Sequence, residues 1–178
     1  VDVIVCLRPH ESDHQDHVSE RAVDERLGIE MVQLELDGDG TGSLDHYVTA
    51  VKKIKDVSDS GQQVLVHCAA GAYRTGVAVT FYRLLVKGED PANIRNELRA
   101  YGWREKSDDK LIDYLDDNMA EMARRLKEVG VIDSIPNPFV FHIVPTVPTV
   151  PSGPTASVRA RVRARVRARA RPGPGSGP

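Results

Sequence analysis

The sequence contains 178 residues, of which 40% are hydrophobic, and its 24 lysines and arginines nearly balance 26 acidic residues. It has no run of 18 consecutive apolar residues, the length that predicts a transmembrane helix, and its two cysteines are too few for a disulfide framework. The sequence therefore predicts neither a transmembrane helix nor a scaffold held by disulfide bonds. Its length allows one globular domain with additional segments.

An uneven distribution of charge and proline divides the chain into three regions. All 26 acidic residues and 17 of the 24 basic residues precede residue 152, which gives that part a net charge of −9. We assign residues 1–132 to a globular domain, 133–157 to a proline-rich linker and 158–178 to an arginine-rich tail. We interpret the tail as a disordered low-complexity extension, with binding of nucleic acid or an anionic surface as the alternative.

Strands and helices alternate along the predicted domain. Short apolar runs predict strands at residues 1–7, 29–36 and 63–67. Apolar residues at steps of three and four, together with capping residues, predict helices within residues 11–27, 44–57, 76–86, 90–99 and 107–129. This order predicts an α/β fold of three layers, with a mainly parallel central sheet flanked by helices. Because the sequence opens inside a strand, we expect that one or two strands precede it.

One segment places a cysteine between a strand and a helix. Residues 64–76 read VLVHCAAGAYRTG, in which an apolar run ends at Cys68 and five residues separate it from Arg74. The backbone N–H groups of such a loop, together with the positive end of a helix that starts near Thr75, can hold a tetrahedral oxyanion. The predicted phosphate-binding residues are Ala69, Ala70, Gly71, Ala72, Tyr73 and Arg74.

The same loop predicts a reactive thiolate beneath the bound anion. Its positive field favours the thiolate of Cys68, and the planar guanidinium of Arg74 matches two phosphate oxygens at once. Thr75 can donate its hydroxyl to the sulfur, and His67 can orient the loop and support a low pKa of the thiol. We therefore predict a phosphate-ester hydrolase that works through a cysteinyl-phosphate, without a metal or an organic cofactor.

Residues 67–76 resemble the phosphate-binding signature of the cysteine-dependent protein tyrosine and dual-specificity phosphatases. Residues 3–11 resemble the early strand and Leu-Arg segment of the compact dual-specificity members, and the resemblance extends to about residue 128. No counterpart of the separate phosphotyrosine-recognition loop of the larger domains is found, which favours the compact group. The resemblance implies a phosphatase-like three-layer fold and phosphoprotein substrates that carry phosphotyrosine, and also phosphoserine or phosphothreonine.

The resemblance further implies an aspartic acid upstream of the cysteine that protonates the leaving oxygen. Asp37 and Asp39 lie 31 and 29 residues before Cys68, in a glycine-rich segment that follows a predicted strand. We predict Asp37 as the general acid because it directly ends that strand, and Asp39 is the alternative. Ordinary turn and capping chemistry is a competing explanation for both residues.

Several alternatives stay open from the sequence. The uncharged positions of the loop favour phosphoproteins, since phosphoinositide phosphatases of this superfamily often have lysine there; phosphoinositides and nucleotide or RNA 5′ phosphates are the alternatives. A non-catalytic phosphoprotein-binding module and a thiol-based sulfur transferase or arsenate reductase are other hypotheses. Cys6 is interpreted as a core residue, or else as a redox partner of Cys68. A thiolate nucleophile suits a reducing compartment, so we expect a cytoplasmic protein.

Overall fold

The computed structural model describes residues 1–9, 15–104 and 109–136. Its strands are β1 (Val3–Cys6), β2 (Glu30–Gln33) and β3 (Val64–His67). Its α-helices are α1 (Gln15–Leu27), α2 (Leu44–Asp59), α3 (Tyr73–Phe81), α4 (Pro91–Ala100) and α5 (Asp109–Glu128). The predicted tail and all but the first four residues of the predicted linker lie outside the described residues. Within the described ranges, no helix is long and apolar enough to span a bilayer.

The strands form a parallel sheet in the order β2-β1-β3. Cys6, the last residue of β1, is in register with Gln33 of β2 and His67 of β3. Because β1 is the middle strand, all four of its residues are buried. The carboxyl ends of the three strands meet at one edge, which is where open parallel sheets bind ligands.

Helices cover both faces of the sheet, but with different chemistry. Successive side chains of a strand point to opposite faces, so Val66 and His67 lie on different sides. On the Val66 face, α2, α3 and α5 enclose the main hydrophobic core, which includes Tyr47, Val51, Phe81, Leu115, Met119 and Met122. On the His67 face, α1 contributes mainly polar contacts, such as the one between Glu20 and His67. This arrangement confirms the predicted α/β fold with helices on both sides of a parallel sheet.

The element boundaries differ from the predictions in places that affect the candidate site. Helix α3 begins at Tyr73 rather than at residue 76, so Arg74 and Thr75 lie in its first turn. The α-helix ends at Phe81, and a π-helical segment, Tyr82–Val86, completes the predicted helix. Strand β2 ends at Gln33, three residues earlier than predicted, although the next N–H still donates to the carbonyl of Cys6 at 2.8 Å.

Two helix starts show the capping that their sequences predict. The side chain of Ser43 accepts a hydrogen bond from the N–H of Asp45 at the start of α2. The side chain of Asp90 accepts one from the N–H of Ala92 at 2.7 Å, and Pro91 occupies the first turn of α4. The cap at Ser43 fixes the point where α2 begins, immediately after the segment that carries Asp37 and Asp39.

Candidate active site

Residues 68–74, which connect β3 to the first turn of α3 and which we name the phosphate loop after the predicted ligand, have a buried floor and an open rim. Cys68, on the floor, and Arg74, in the first turn of α3, are each 8% exposed. Ala69 and Ala70 on the rim are exposed. Gly71 has a φ of +71°, a left-handed value at which a side chain causes strain. A ligand can therefore approach the loop from solvent while the thiol stays beneath it.

The thiol of Cys68 has a pKa below its ordinary value. Burial by itself raises this pKa, but hydrogen bonds from the Thr75 hydroxyl and from the backbone N–H groups of Thr75, Gly71 and Ala70 outweigh burial and lower it. Thr75 Oγ1 does not reach the geometry of a full hydrogen bond with any group of the described structure. The loop thus stabilises negative charge at the sulfur.

Arg74 combines burial with unused hydrogen-bonding capacity. Its Nη1 donates to the carbonyl oxygen of Leu36 across a long 3.4 Å, and its Nε has no partner among the described residues. A buried guanidinium with unmet donors is suited to an anion, which it binds through two parallel hydrogen bonds. The contact with Leu36 also ties Arg74 to the residue that precedes Asp37.

Close packing against Trp103 fixes the first turn of α3. A Cβ atom on Gly76 would lie 2.9 Å from Trp103 Nε1 and 3.0 Å from Leu98 Cδ2, so only glycine fits there without movement. Trp103 Nε1 also donates to the carbonyl oxygen of Ala72 at 3.3 Å. The ring of Tyr73, which is half-buried, lies 6.4 Å from that of Trp103. Trp103 therefore supports the phosphate loop from behind.

Residues 37–42, which we name the acid turn, pack beside this loop. The N–H of Gly40 donates to the carbonyl oxygen of Asp37 at 3.0 Å and closes the turn. A Cβ on Gly40 would lie 2.8 Å from Leu111 Cδ1 and 3.1 Å from Tyr73 Cβ. Since Tyr73 belongs to the phosphate loop, this close approach places the acid turn directly against that loop.

The two candidate acids of this turn have different surroundings. The Oδ1 atom of Asp39 accepts hydrogen bonds from the hydroxyl of Thr41 at 2.7 Å and from its N–H at 3.0 Å, and these bonds lower the pKa of Asp39. A carboxyl held in its charged form is a poor proton donor. The side chain of Asp37 is exposed and accepts no hydrogen bond from the described residues. The environment therefore favours Asp37 over Asp39 for donating a proton.

On the opposite face of the sheet, four charged or polar side chains form what we name the sheet cluster: Cys6, Arg8, Glu20 and His67. His67 Nε2 lies 3.1 Å from Glu20 Oε1 in an ion pair. Burial lowers the pKa of His67, but its interactions with Cys6 and Glu20 outweigh burial and raise it to about 10. Burial raises the pKa of Cys6, and the bond with His67 reverses this effect so that the net shift is downward. His67 is thus a cation behind the loop.

The sheet cluster also contains donor atoms that suit a metal ion. One ligand atom each from Cys6, Glu20 and His67 lies within 4.8 Å of the others, and zinc accepts all three ligand types. However, Arg8 Nη2 lies 3.0 Å from Glu20 Oε2, so the Glu20 carboxylate is already paired with Arg8 as well as with His67. A divalent ion would have to displace the proton of His67.

The structure adds residues that the sequence analysis did not identify. Glu20 lies in a polar helix without any motif, and its partner His67 is 47 residues away. Tyr47 and Tyr114 occupy apolar positions of amphipathic helices, and their hydroxyls donate to the carbonyls of Gly40 and Gly42. Helical periodicity places such rings in the core, but it carries no information about the target of a hydroxyl. Both cysteines are free, and Cys6 contacts His67.

The comparisons with known proteins find similarity to solved structures alone. No family model matches the sequence, and no curated protein matches it. The chain is similar to the core catalytic domain of the PP-IP phosphatase Siw14 from S. cerevisiae, with 21% identity and a TM-score of 0.53 over 74% of this chain and 76% of that chain. It is also similar to TpbA from P. aeruginosa, with 18% identity and a TM-score of 0.53 over 71% and 73% of the two chains.

A mutant form of Tk-PTP gives a further match, with 20% identity and a TM-score of 0.53 over 71% of this chain and 79% of that chain. At these identities the shared property is the fold. The resemblance drawn from residues 67–76 is confirmed at that level: the chain has the fold of the cysteine-based protein tyrosine and dual-specificity phosphatases.

Proposed function

We propose that this chain is a phosphomonoester hydrolase that dephosphorylates phosphoproteins through a cysteinyl-phosphate intermediate. The observation that carries the proposal is the floor of the phosphate loop. There the thiol of Cys68, with its lowered pKa, shares a short loop with the buried guanidinium of Arg74, whose Nε has no partner among the described residues. A nucleophile and an anion-binding cation in one loop are the two groups that phosphoryl transfer to cysteine requires.

In the first step, the Cys68 thiolate attacks phosphorus while the bond between phosphorus and the leaving oxygen breaks. Arg74 and the loop N–H groups bind the three non-bridging oxygens, whose negative charge they stabilise in the transition state. The protonated carboxyl of Asp37 transfers its proton to the leaving oxygen. The dephosphorylated hydroxyl compound leaves, and the sulfur carries the phosphoryl group.

In the second step, the Asp37 carboxylate takes a proton from a water molecule that attacks phosphorus. The bond between sulfur and phosphorus breaks, inorganic phosphate is released, and Asp37 is again protonated. The thiolate that leaves is stabilised by the same N–H groups that lower the pKa of Cys68, with the Thr75 hydroxyl close by. The side chains and backbone N–H groups of the phosphate loop, together with Asp37 of the acid turn, supply every protein group used in this cycle.

The charge around the loop supports a phosphoprotein as the substrate. Proteins with this fold bind different phosphates, since Siw14 is a PP-IP phosphatase and a cysteine-to-serine variant of TpbA has been solved in complex with phosphotyrosine. A substrate with several phosphates needs cations in addition to the one that binds the reacting group. Here the rim positions Ala69, Ala70 and Ala72 are uncharged, and Arg74 is committed to the reacting phosphate. A singly phosphorylated side chain needs no further cation.

The proposal is tested by hydrolysis of p-nitrophenyl phosphate in EDTA, with rapid acid quenching and mass spectrometry of the peptide that contains Cys68. We expect turnover and a phosphorylated Cys68. The values of kcat/KM for a phosphotyrosine peptide, a phosphoserine peptide, a phosphoinositide and an inositol pyrophosphate then compare the substrate classes. We expect the highest value for the phosphotyrosine peptide.

The possible results separate the chemistry from the substrate. Preference for the inositol pyrophosphate or the phosphoinositide would overturn the phosphoprotein assignment and leave the cysteinyl-phosphate chemistry standing. Tight binding of the phosphopeptide by folded, reduced protein that hydrolyses none of the esters would instead identify a phosphoprotein-binding module.

A further inference from the structure

Two tyrosine hydroxyls from different helices hold the acid turn. Tyr47 of α2 donates to the carbonyl oxygen of Gly40 at 2.5 Å, and Tyr114 of α5 donates to the carbonyl oxygen of Gly42 at 2.8 Å. These carbonyls are two residues apart, so both attachments act on the same short turn. The turn that carries Asp37 is thereby connected to the helices on the core face of the sheet.

Packing fixes the positions of these tyrosines. Tyr47 is fully buried, and its ring meets that of Phe81 edge-on, with centroids 5.6 Å apart. The rings of Tyr47 and Tyr114 are 6.1 Å apart, so the two residues form one aromatic cluster beneath the turn. Because close-packed aromatic side chains do not rotate freely, the hydroxyls are fixed points relative to the core.

The hydrogen bonds inside the acid turn hold its local shape but not its position relative to the rest of the domain. Gly40 and Gly42 have φ values of +88° and +125°, and glycine adopts such values at the cost of a large loss of chain entropy. The hydrogen bonds that Thr41 donates to Asp39 stabilise the middle of the turn but do not attach it to the domain. Attachment comes from the tyrosines and from the contact of Gly40 with Leu111 and Tyr73.

Both tyrosines are close to the groups of the proposed chemistry. Burial, followed by the charge of Asp37, raises the pKa of Tyr114 to about 12. Burial is also the main cause that raises the pKa of Tyr47, and the charges of Cys68 and Arg74 act on the same hydroxyl. The aromatic cluster therefore touches the acid turn on one side and approaches the phosphate loop on the other.

We propose that Tyr47 and Tyr114 are positioning residues that hold the acid turn so that Asp37 reaches the leaving oxygen above Cys68. This inference rests on the proposed function, in which Asp37 is the general acid. Tyr114 is the better residue to test because it is only partly buried, whereas Tyr47 lies in the centre of the core. Tyr114→Phe keeps the ring and removes only the hydroxyl.

Displacement of the acid turn affects most the substrates whose leaving oxygen needs a proton. For phenyl phosphate, whose phenolate is a poor leaving group, we expect Tyr114→Phe to lower kcat/KM about tenfold. Small errors in the position of a catalytic group are costly for the rate. For p-nitrophenyl phosphate, whose leaving group departs readily, we expect less than about a twofold change. Tyr82→Phe is the matched control, because Tyr82 is a partly buried tyrosine of the π-helical segment outside the acid turn.

A second measurement places Tyr114→Phe in an Asp37→Asn background. If Tyr114 acts through Asp37, its loss has no further effect on phenyl phosphate hydrolysis there. Equal losses in both backgrounds, or the same fractional loss for both esters, would overturn the inference in favour of a general structural role.

The same experiment separates this inference from the proposed function. A parent protein that hydrolyses neither ester would remove the proposed function and, with it, the basis for positioning residues. A parent that hydrolyses both esters, combined with a Tyr114→Phe variant that behaves like Tyr82→Phe, would overturn only the role of the tyrosines.

Discussion

The phosphate loop and the sheet cluster are two polar regions on opposite faces of the end of β3, and each contains a buried cysteine whose pKa is lowered. In the sheet cluster, Cys6 and Glu20 are matched by His67 and Arg8, and Cys6 is 2% exposed. In the phosphate loop, charge is stabilised mainly by backbone N–H groups, and the loop rim is open. A lowered pKa is therefore not sufficient to identify a nucleophile, because access from solvent also decides.

The largest expected difference is between the two cysteines. Cys68→Ser removes the thiolate nucleophile, so we expect kcat for p-nitrophenyl phosphate to fall by more than about 10³-fold. Cys6→Ser keeps a small polar side chain in the sheet cluster, and we expect kcat within about fivefold of the parent. Steady-state kinetics of the two variants, with circular dichroism as a check of folding, measure the contrast. A comparable loss in both variants would mean that the two regions act as one catalytic unit.

The second largest effect is expected within the acid turn, between substitutions of Asp37 and Asp39. Asp37→Asn removes the proposed proton donor, and we expect kcat/KM for phenyl phosphate to fall about 10²-fold or more. Asp39→Asn keeps an acceptor oxygen for the hydrogen bonds from Thr41 and removes only the negative charge, so we expect a loss of at most about tenfold. The basic limb of the pH profile of kcat/KM should disappear in Asp37→Asn alone. Loss of that limb in Asp39→Asn alone would make Asp39 the general acid.

The smallest expected effect on activity is in the sheet cluster, where the change should appear in stability. Glu20→Gln removes the carboxylate that pairs with His67, and we expect the free energy of unfolding at pH 6 to fall by about 1–3 kcal/mol. Activity should change less than about threefold. Glu25→Gln, at an exposed position of the same helix, is the matched control. Urea denaturation with both variants gives the comparison.

The pH dependence of that stability difference has a defined sign. The pKa of His67 is raised from 6.5 to about 10 in the folded protein, so, while Glu20 is ionised, the stabilisation is fully present below about pH 6.5 and is lost as the pH rises through about 10. The difference between the parent and Glu20→Gln should therefore shrink between these values. A difference that is constant over this range would show that the ion pair with His67 is not its source.

The sequence predicted the elements of the candidate site that are contiguous in the chain. The α/β alternation, the parallel sheet and the placement of a phosphate loop after β3 follow from apolar periodicity and from ten adjacent residues. The sequence predicts the start of α3 two to three residues too late. It does not reveal that Trp103 contacts Ala72 and packs against Gly76, which supports the first turn of the helix. That contact joins segments some 30 residues apart and leaves no signal in the local pattern.

By itself, the sequence determined the phosphate loop, because a strand, a glycine-containing turn and a helix start act on neighbouring residues. Only the tertiary structure decided which groups surround that loop. It brought the acid turn against Tyr73, placed the hydroxyls of Tyr47 and Tyr114 on the carbonyls of that turn, and paired Glu20 with His67. These contacts join residues distant in the chain, and several of them end on backbone carbonyls, which every residue possesses and no sequence pattern marks.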